Sequence, residues 1–479
     1  MLRKILSFTA LFVFSTLHVQ AQPAHPDLTD IQRILQKNQL PAHALALVAL
    51  PLSKSSTSKG TFYNANTSVN PASVIKLVTT YAALENLGPS FTWQTDLLTD
   101  GKIEGNQLNG NLYFRSGGDP KLTIERLWLL LRNLKLQGIQ HINGDLVLDG
   151  SFYQIESLKA FDGEKSDLYR PFMVDGSSLL VNFNAQRFIV TGSLTGATVT
   201  SDPFIPDVMV DNQVRVVPPQ NCNAHTKVYF HPLQTEDSLT LRATGSIPEG
   251  CSTQKYFAFM EHERYAAGII RSTWEDMGGT ISGDTVFAVT PRSARRLSSL
   301  PSISVAEAIR DVNKYSNNAM AKQLFLTIGA RNRLAADTDD AEAAKRVVIE
   351  WWKSKGILRP SLIIENGSGL SRSERLSAYE LALMLKDAAS SPYAAEFQAS
   401  LPLVAIDGTM SRRLRRSPIA GQARIKTGTL RNVRAIAGYS NDKNGDPWVI
   451  VAILNHPVNI HNGILDTLLN SLHLQTPIR

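Results

Sequence analysis

Three short motifs carry the residue types that serine-based acyl transfer requires. They are Ser73-Val74-Ile75-Lys76, Ser316-Asn317-Asn318 and Lys426-Thr427-Gly428, in that order along the chain. A serine hydroxyl is a poor nucleophile at neutral pH and needs a nearby base. A lysine can be that base when burial and a second ammonium group lower its pKa. The motifs therefore predict a nucleophilic serine that is activated by a lysine.

Each motif alone is weak evidence for catalysis, and the surrounding sequence decides whether a match is meaningful. Ser56-Thr57-Ser58-Lys59 also matches the first pattern, and Ser68-Val69-Asn70 matches the second. The Ser56 match lies in an all-polar turn, Ser53 to Gly60, whereas Ser73 opens an apolar stretch of helical length. A helix places Ser73 and Lys76 one turn apart on the same face. We therefore assign Ser73 as the nucleophile; the alternative is an ordinary helix start with a solvated lysine.

The three motifs would share the tasks of proton transfer and substrate binding. Lys76 would take the proton of Ser73, and Ser316 would relay a proton to the leaving amine. Backbone N–H groups at Ser73 and Thr429 would form an oxyanion hole, aided by the helix N-terminus. A helix-capping turn at Ser316 and an exposed strand lysine in the third motif are the alternatives. The residues expected to hold substrate are Asn318, Lys426, Thr427, Gly428 and Thr429.

The N-terminus indicates export. Arg3 and Lys4 form a short basic start, Ile5 to Leu17 is an apolar run, and Val19-Gln20-Ala21 has the small residues of a signal peptidase site. This pattern is typical of a secretory signal peptide, and the run is short for a membrane span. We expect cleavage after Ala21, with an uncleaved anchor as the alternative.

The numbers of cysteines, histidines and charged residues limit which cofactors and partners can be expected. The two cysteines, Cys222 and Cys251, would form a disulfide in an oxidising compartment. They cannot make a zinc site alone, and none of the ten histidines has the His-Glu-x-x-His spacing of metallopeptidases. We therefore expect no metal and no cofactor. A net charge of +7, from 49 basic and 42 acidic residues, is a mild bias that does not indicate nucleic acid as a partner.

Helices and strands alternate at both ends of the chain and must position the motifs. Helical length or periodicity predicts helices over Asp27 to Leu40, Val74 to Leu87, Val305 to Val312, Asn318 to Gly329, Asp340 to Gly356, Ala378 to Ala389 and Asn462 to Leu472. Strand patterns cover Ala44 to Leu50, Ile425 to Leu430, Val433 to Tyr439 and Trp448 to Asn455. The last two strands flank a polar loop, which predicts an antiparallel hairpin.

The middle of the chain has a different sequence pattern. From about Thr92 to Thr290, short β-branched or alternating runs are separated by Gly, Pro, Asn and Asp. Apart from one predicted helix at Ile124 to Gln137, this pattern is typical of a β-rich region. A chain of 479 residues is long enough for two or three domains. We therefore predict a strand-and-helix domain, residues 22–91 and 300–479, that is split by a β-rich insertion at 92–299.

The order of the motifs resembles the penicillin-interacting serine acyltransferases, which carry them on a helix, a loop and a strand. Lys76 and Asn318 are 242 residues apart, and Asn318 and Lys426 are 108 apart. A first interval this long is similar to the class C low-molecular-mass penicillin-binding proteins, which are D-alanyl-D-alanine carboxypeptidases and endopeptidases. The resemblance implies an α/β (α+β) fold of the β-lactamase/transpeptidase type, with an antiparallel sheet flanked by helices and two small β-rich domains in the insertion.

Other segments are similar to the same family over nearly the whole mature chain. Two departures occur: Asn366 stands where the family usually has Asp, and Met173-Val174-Asp175 stands where relatives are small and apolar. The first puts a loop contact in doubt, and the second the fit of the insertion. The similar segments are Ser116 to Pro120, Gly144 to Asp149, Asn366 to Arg372 and Asp407 to Thr409.

The resemblance also implies an acidic residue of the insertion that binds the free amine of a diaminopimelate side chain. Asp149, with Phe152 and Tyr153 nearby, is the best match in this sequence. The alternative for Asp149 is a turn aspartate at the end of a strand.

Taken together, the resemblance implies a periplasmic serine DD-peptidase with an acyl-enzyme on Ser73. Its expected partners are peptidoglycan stem peptides and β-lactam antibiotics, with no nucleic acid and at most loose membrane association. A β-lactamase is a second hypothesis, but it needs a dedicated deacylation base that the sequence does not reveal. A non-catalytic wall-binding protein is a third, against which the intact motifs argue. The balance between carboxypeptidase and endopeptidase activity and the oligomeric state stay open.

Overall fold

The structure is a computed structural model that describes residues 26–52, 60–156, 169–235, 239–357, 361–442 and 444–474. The predicted signal peptide and the Ser56-Thr57-Ser58-Lys59 match lie outside the described residues. No helix within these ranges has the length and apolar character that a membrane crossing requires.

The elements follow one another in four stretches. The first contains α1 (Pro26–Lys37), β1 (Leu45–Pro51), β2 (Thr61–Tyr63), β3 (Ser68–Val69) and α2 (Lys76–Leu87). The second contains β4 (Thr92–Thr99), β5 (Lys102–Glu104), β6 (Gln107–Asn109), β7 (Leu112–Ser116), α3 (Ile124–Lys135), β8 (His141–Ile142) and β9 (Leu146–Asp149). The third contains β10 (Gln186–Ser193), β11 (Gly196–Asp202), β12 (Val208–Val217), α4 (Cys222–His225), β13 (Lys227–Gln234), β14 (Leu239–Pro248), β15 (Ser252–Phe257), α5 (His262–Asp276), β16 (Thr280–Ile281), β17 (Thr285–Phe287) and β18 (Arg295–Ser304). The fourth contains α6 (Val305–Tyr315), α7 (Asn318–Arg331), α8 (Asp340–Ser354), β19 (Leu376–Ser377), α9 (Ala378–Ala388), α10 (Ala394–Ser400), β20 (Arg424–Leu430), β21 (Val433–Asn441), β22 (Pro447–Asn455) and α11 (Asn462–Leu474).

A five-stranded antiparallel sheet, in the order β2-β1-β22-β21-β20, is the frame of the site. Strand β1 pairs with β22 from Leu45↔Leu454 to Pro51↔Trp448, so both ends of the chain meet in this sheet. The predicted hairpin is confirmed, because β21 pairs antiparallel with β22.

Helices cover both faces of this sheet. On one face, Ala46 and Val48 of β1 pack in a core cluster with residues of α2, α6, α7, α8 and α9. On the other face, Leu45 and Leu47 pack with residues of α1 and α11. A strand that is buried on both faces has a continuous apolar sequence, which is what β1 shows. The expected α/β fold, an antiparallel sheet flanked by helices, is confirmed.

The middle of the chain forms four further sheets within the described ranges. Their strand orders are β17-β9-β7-β4-β18, β16-β8-β6-β5, β11-β10-β15 and β12-β14-β13. Strand β18 pairs with β4 from Arg295↔Thr99 to Ser304↔Thr92, so the strand that enters this region lies beside the strand that leaves it. The division into domains at residues 92 and 299 stays a prediction.

The expectation of a single helix in this region was wrong. Helix α5 has 15 residues and buries Tyr265, Ile269 and Trp274 in a core cluster that it shares with α3. Tyr265 and Ile269 lie four positions apart, as do Ile270 and Trp274, which is a spacing of residues on one helix face. The short strand-like runs on either side of α5 hid this period.

The expected disulfide is present in the insertion. Cys222 and Cys251 are bonded, with an S–S distance of 2.04 Å and a Cα–Cα distance of 5.5 Å. The bond joins α4 to the turn that links β14 and β15. Cys251 is buried against Val190 and Ile247, so the bond ties a short exposed helix to the apolar interior of the insertion.

Candidate active site

Ser73 and Lys76 lie at the start of helix α2. A 3-10 turn spans Ala72–Ile75, and the α-helix begins at Lys76. Residues Lys76 to Leu84 are all buried, so this part of α2 is enclosed on every side and has no solvent-facing stripe. Ser73 is half-buried, and the Lys76 side chain reaches it with 3.1 Å between Nζ and Oγ.

The Lys76 amine sits among three oxygen atoms. Its Nζ donates to Asn318 Oδ1 at 2.7 Å and to the carbonyl oxygen of Ser368, and the third oxygen is Ser73 Oγ. The amide oxygen of Asn318 and the carbonyl of Ser368 can only accept hydrogen bonds. A neutral Lys76 amine would use its two N–H groups on these acceptors, which leaves its lone pair for the hydroxyl proton of Ser73.

The surroundings of Lys76 favour this neutral form. The side chain is fully buried, and burial lowers the pKa of Lys76 well below its ordinary value. The Lys426 ammonium lowers this pKa further, the Glu374 carboxylate opposes the shift, and Lys322 adds a smaller lowering. Lys76 can therefore act as a base near neutral pH.

The second motif lies in the turn between α6 and α7. Ser316 follows the last residue of α6 and adopts a left-handed conformation, with φ of 57°. Asn317 caps α7, because its Oδ1 accepts a hydrogen bond from the backbone N–H of Met320 at 3.0 Å. The helix-capping alternative for this motif therefore applies to Asn317. The side chains of Ser316 and Asn318 remain available to the site. Asn318 contacts Lys76 with Oδ1 and donates from Nδ2 to the carbonyl oxygen of Phe172 at 2.8 Å.

The third motif lies on the edge strand β20. Lys426 is fully buried, and its Nζ donates to Ser316 Oγ at 2.9 Å and to the Thr427 carbonyl oxygen at 2.8 Å. Burial lowers the pKa of Lys426 to about 7. It is therefore not an exposed strand lysine. A Cβ atom on Gly428 would lie 3.2 Å from the backbone N of Ser73, so this glycine lets β20 approach the nucleophile closely.

One cavity joins the motifs. It has a volume of about 580 Å³, and Ser73, Ser316, Asn318 and Thr429 all line it. The guanidinium groups of the cavity give it a cationic character that suits a carboxylate-bearing ligand. The other lining residues that matter here are Phe172, Met173, Leu370, Arg372, Leu430, Arg431 and Arg434.

The Gly-Ser-Gly loop, residues 363–375, is a part of the site that the motifs did not identify. A pair of backbone hydrogen bonds between Ile363 and Arg375 closes it. Its Gly369 has φ of +87°, and a Cβ atom there would run into the carbonyl oxygen of Ala72. The loop thus packs directly on the turn that holds Ser73, and this contact brings the Ser368 carbonyl to Lys76.

The two departures from the resembling family have local explanations. Asn366 Oδ1 accepts hydrogen bonds from Ser368 N at 3.0 Å and Ser368 Oγ at 2.7 Å, so the amide oxygen acts where an Asp carboxylate oxygen would. Asp175 forms a 2.7 Å ion pair with Lys322, which lies one turn after Asn318 on α7. Lys322 also donates to the carbonyl oxygen of Val174 at 3.0 Å. The insertion is therefore attached to the helix of the second motif.

The structure shows contacts of Asp149 that lie outside the catalytic cavity. Among the described residues that line the catalytic cavity, Asp149 is absent. It is 2% exposed, and its oxygens accept hydrogen bonds from Ser151 N, Ser151 Oγ and Thr290 N at 3.0, 2.6 and 2.8 Å. Burial would raise the pKa of Asp149, but these hydrogen bonds outweigh it and hold the pKa below its ordinary value. Asp149 thus fixes the turn after β9, as the alternative predicts, and its role in binding substrate stays a prediction.

The described residues contain no group of three or more His, Cys, Asp or Glu side chains that could hold a metal ion.

Comparisons with known proteins match most of the chain. The model of the D-Ala-D-Ala carboxypeptidase 3 (S13) family matches residues 28–467. The chain is 27% identical over 410 residues to the D-alanyl-D-alanine carboxypeptidase DacB of Haemophilus influenzae, covering 82% of each chain. It is 28% identical over 409 residues to a D-alanyl-D-alanine carboxypeptidase of Actinomadura sp. (strain R39), covering 82% of this chain and 74% of that protein.

The fold also matches a solved structure. The crystal structure of penicillin binding protein 4 (dacB) from Haemophilus influenzae superposes with a TM-score of 0.76 at 24% identity. The match covers 92% of this chain and 98% of that chain. The two chains therefore share their fold over almost their full lengths.

Proposed function

Because this chain belongs to the D-Ala-D-Ala carboxypeptidase 3 (S13) family, we propose that it is a periplasmic serine-type carboxypeptidase and DD-endopeptidase of peptidoglycan. In this proposal it cleaves stem peptides through an acyl-enzyme on Ser73, and β-lactams acylate the same serine. The observation that carries the proposal is the group of contacts at Lys76. Its Nζ lies 3.1 Å from Ser73 Oγ and 2.7 Å from Asn318 Oδ1, in a fully buried position.

The first step is acylation. Neutral Lys76 takes the proton of Ser73 while Ser73 Oγ attacks the carbonyl carbon of the penultimate D-Ala. The backbone N–H groups of Ser73 and Thr429 stabilise the oxyanion that forms. The tetrahedral intermediate then collapses, the peptide bond to the terminal residue breaks, and Ser73 carries the acyl group.

Proton delivery to the leaving amine falls to Ser316. Its hydroxyl accepts a hydrogen bond from Lys426 at 2.9 Å and lies in the same cavity as Ser73. Lys426 in its ammonium form would hold the carboxylate of the terminal D-Ala. Ser316 regains its proton from Lys76, which returns to the neutral form. In deacylation Lys76 takes a proton from water as the water oxygen attacks the ester carbon, and it gives that proton to Ser73 Oγ when the ester bond breaks.

The two reactions of the proposal differ only in the leaving group. Free D-Ala leaves in the carboxypeptidase reaction, and the side-chain amine of a second stem peptide leaves in the endopeptidase reaction. A penicillin would acylate Ser73 in the same way, but its leaving amine remains tethered to the acyl group. Because the tethered amine stays in the cavity, we expect the penicilloyl-enzyme to hydrolyse slowly.

The location in the periplasm is supported by the N-terminal sequence. Arg3 and Lys4 precede an apolar run and the small residues around Ala21, as in a secretory signal peptide. The relatives are named as carboxypeptidases for D-alanyl-D-alanine, a dipeptide that belongs to the cell wall outside the cytoplasm.

Digestion of purified muropeptides tests the proposal. The wild-type protein and Ser73→Ala are incubated with a monomeric pentapeptide and with a cross-linked dimer, and the products are separated and weighed by mass spectrometry. We expect the wild type to release D-Ala from the first substrate and monomers from the second, and Ser73→Ala to do neither. If the wild-type enzyme reacts with a reagent that titrates its active site but leaves the muropeptides intact, the proposal is contradicted.

A further inference from the structure

A second cavity lies beside the catalytic cavity and begins at the same serine. Its volume is about 660 Å³, and Ser316, Asn318 and Phe172 line both cavities. Asn318 Nδ2 donates to the Phe172 carbonyl oxygen at 2.8 Å, which fixes this shared wall. The remaining walls come from the turn of the second motif and from the insertion, so we call this space the insertion cavity. They include Tyr315, Phe183, Arg187, Asp202 and Tyr256.

The edge strand β20 sets the direction in which a substrate peptide lies. In the proposed mechanism, the terminal carboxylate is held at Lys426 and the oxyanion at the N–H group of Thr429. A peptide that is added to the edge of a sheet runs along the edge strand. Its acyl part therefore continues beyond Thr429, where Leu430 and Arg431 line the catalytic cavity. The leaving group lies at the other end, beside Lys426 and Ser316, whose Nζ and Oγ are 2.9 Å apart.

The two leaving groups of the proposed reactions differ in size. Free D-Ala is one small residue that ends at the Lys426 ammonium, whereas the second stem peptide of a cross-linked dimer continues past this point. The insertion cavity starts at Ser316 and offers that space. Its volume of about 660 Å³ is within the range of sites that enclose a ligand of several residues.

Exposed aromatic rings surround the insertion cavity. Phe172, Tyr256 and Tyr315 are 44%, 45% and 62% exposed. Aromatic side chains that remain exposed around a concave site supply much of the contact energy when a peptide covers them. The leaving amine of a cross-linked dimer is carried by a chain of methylene groups, which can pack against such rings.

A row of polar side chains forms part of the insertion wall. Arg187 on β10 is paired with Asp202 on β11 and with Tyr256 on β15. Paired residues of adjacent strands lie on the same face of a sheet. The Arg187 guanidinium donates to the Asp202 carboxylate, so the row presents both signs of charge and a phenol. This wall suits the N–H and C=O groups of a peptide better than it suits a polyanion.

A strained turn forms another part of the wall. Asn182, Phe183 and Asn184 all have left-handed backbone conformations, with φ of 46°, 54° and 51°. Residues with a Cβ atom rarely adopt this conformation, and a run of three is costly. Hydrogen bonds hold the turn, from Asn182 Nδ2 to Tyr265 Oη at 3.1 Å and from Asn184 Nδ2 to the Met260 carbonyl oxygen at 2.7 Å. Strain of this kind is concentrated at ligand sites.

We propose that the insertion cavity binds the second stem peptide of a cross-linked dimer, which is the leaving strand of the endopeptidase reaction. Release of free D-Ala does not use this cavity, because that leaving group ends at Lys426. The contacts of the insertion cavity therefore set the balance between the two activities. The inference rests on the proposed function and adds a binding site for one of its two substrates.

The test compares two reactions of the same protein. The kcat/KM values for release of D-Ala from a pentapeptide and for cleavage of a cross-linked dimer are measured in the wild type and Tyr256→Ala. Both substrates are freed of glycan. We expect Tyr256→Ala to lower the ratio of dimer cleavage to D-Ala release by about tenfold, the usual effect of removing one well-placed aromatic contact. A wild-type ratio in Tyr256→Ala would overturn the inference.

The matched control is Tyr229→Ala. Tyr229 is also a tyrosine on a strand of the insertion, 58% exposed, and it is not among the described residues that line either cavity. We expect Tyr229→Ala to have the wild-type ratio. The same fall in both variants would mean that the effect does not come from the insertion cavity.

A blocking variant keeps the inference testable if Tyr256→Ala does not fold. Ala185 lines the insertion cavity, and Ala185→Trp would fill part of it with a large ring. Release of D-Ala reports whether this variant is folded. We expect the ratio of dimer cleavage to D-Ala release to fall in Ala185→Trp, and an active Ala185→Trp protein with the wild-type ratio would overturn the inference.

Binding is also measured without cleavage. In Ser73→Ala, calorimetry should show tighter binding of the cross-linked dimer than of the pentapeptide, and Tyr256→Ala in the same background should reduce that difference. Equal affinities for the two peptides in Ser73→Ala would contradict a site for the second strand. A defect of Tyr256→Ala that appears only with glycan-bearing dimers would assign the cavity to the sugar and likewise overturn the inference.

The inference and the proposed function can fail separately. If the wild type cleaves neither peptide, the proposed function fails. If it releases D-Ala but the ratio does not respond to changes in the insertion cavity, only the assignment of this cavity fails.

Discussion

Asn318 Oδ1 accepts a hydrogen bond from Lys76 Nζ at 2.7 Å, although 242 residues separate the two in the chain. Two residues before Asn318, Ser316 Oγ accepts one from Lys426 Nζ at 2.9 Å. The second motif therefore connects the first to the third, with one side chain for each lysine. The left-handed conformation of Ser316, between two helices, is what directs both side chains into one cavity.

This connection predicts a specific defect for Ser316→Ala. The substitution removes the hydroxyl that lies between Lys426 and the leaving amine, so acid catalysis is lost while the fold is kept. We expect release of D-Ala from a pentapeptide to slow by about a hundredfold to ten-thousandfold, the usual contribution of one general acid or base. Ser354→Ala is the control, because Ser354 Oγ donates to the Trp351 carbonyl oxygen at the end of α8 and touches no motif. Equal loss in both variants would contradict the assignment of Ser316.

The pKa of Lys426 predicts how substrate selection depends on pH. This pKa is lowered to about 7 by burial, so the free enzyme loses the Lys426 ammonium as the pH rises through that value. Binding of a terminal carboxylate needs the ammonium, whereas a terminal amide does not. We expect the ratio of kcat/KM for a D-Ala-D-Ala substrate over its C-terminal amide to be high at pH 6 and to fall by pH 9. A ratio that stays constant over this range would show that Lys426 does not hold the carboxylate.

The packing of the Gly-Ser-Gly loop predicts different outcomes for two glycines. Gly369 has φ of +87° and Gly88 has φ of +85°, so an alanine is strained to a similar degree at either position, by about 1 kcal/mol. A Cβ atom on Gly369 would also collide with the Ala72 carbonyl oxygen, whereas nothing lies within 4 Å of one on Gly88. We expect Gly369→Ala to slow penicillin acylation by about tenfold or more, since a small misplacement of catalytic groups is expensive.

The Gly88→Ala variant is the control for that experiment. It should lose a similar amount of thermal stability from backbone strain but acylate at the wild-type rate. Wild-type acylation by Gly369→Ala would mean that the contact with Ala72 does not position Ser73.

The disulfide predicts a change in stability that leaves catalysis intact. The bond between Cys222 and Cys251 closes a loop with a sequence separation of 29 residues. A loop of this length contributes about 3 to 4 kcal/mol to stability in the chain-entropy model. We expect Cys222→Ser/Cys251→Ser to unfold at lower urea concentration, followed by circular dichroism, and to acylate normally under native conditions. A double variant with the wild-type unfolding midpoint would show that the bond does not stabilise the insertion.

The sequence predicted the parts of the site whose chemistry lies in side-chain types. Ser73, Lys76 and Lys426 could be found because a nucleophile, a base and a buried ammonium need those residues, and the patterns around them set their helix or strand. Ser368 could not be found, because it acts through a carbonyl oxygen that every residue has.

The same limit applies elsewhere in the chain. Short-range sequence patterns could not reveal that the Asp149 carboxylate contacts both Ser151 and Thr290, and its role in binding substrate stays a prediction. Helix α5 was missed because its neighbours in the chain are strands, although Tyr265 and Ile269, and likewise Ile270 and Trp274, are spaced four residues apart as on one helix face. In both cases, long-range contacts outweigh what the local sequence pattern indicates.

The most direct test of the account is the intact mass of the mature protein over time with benzylpenicillin. The wild type, Ser73→Ala and Ser56→Ala are compared, since Ser56 belongs to another Ser-x-x-Lys match of the sequence. If Ser73 is the nucleophile, we expect a long-lived adduct of one drug mass in the wild type and in Ser56→Ala, and no adduct in Ser73→Ala. Consumption of the drug without a lasting adduct would indicate a β-lactamase. A drug that survives unchanged beside an unmodified wild-type protein would contradict Ser73 as the nucleophile.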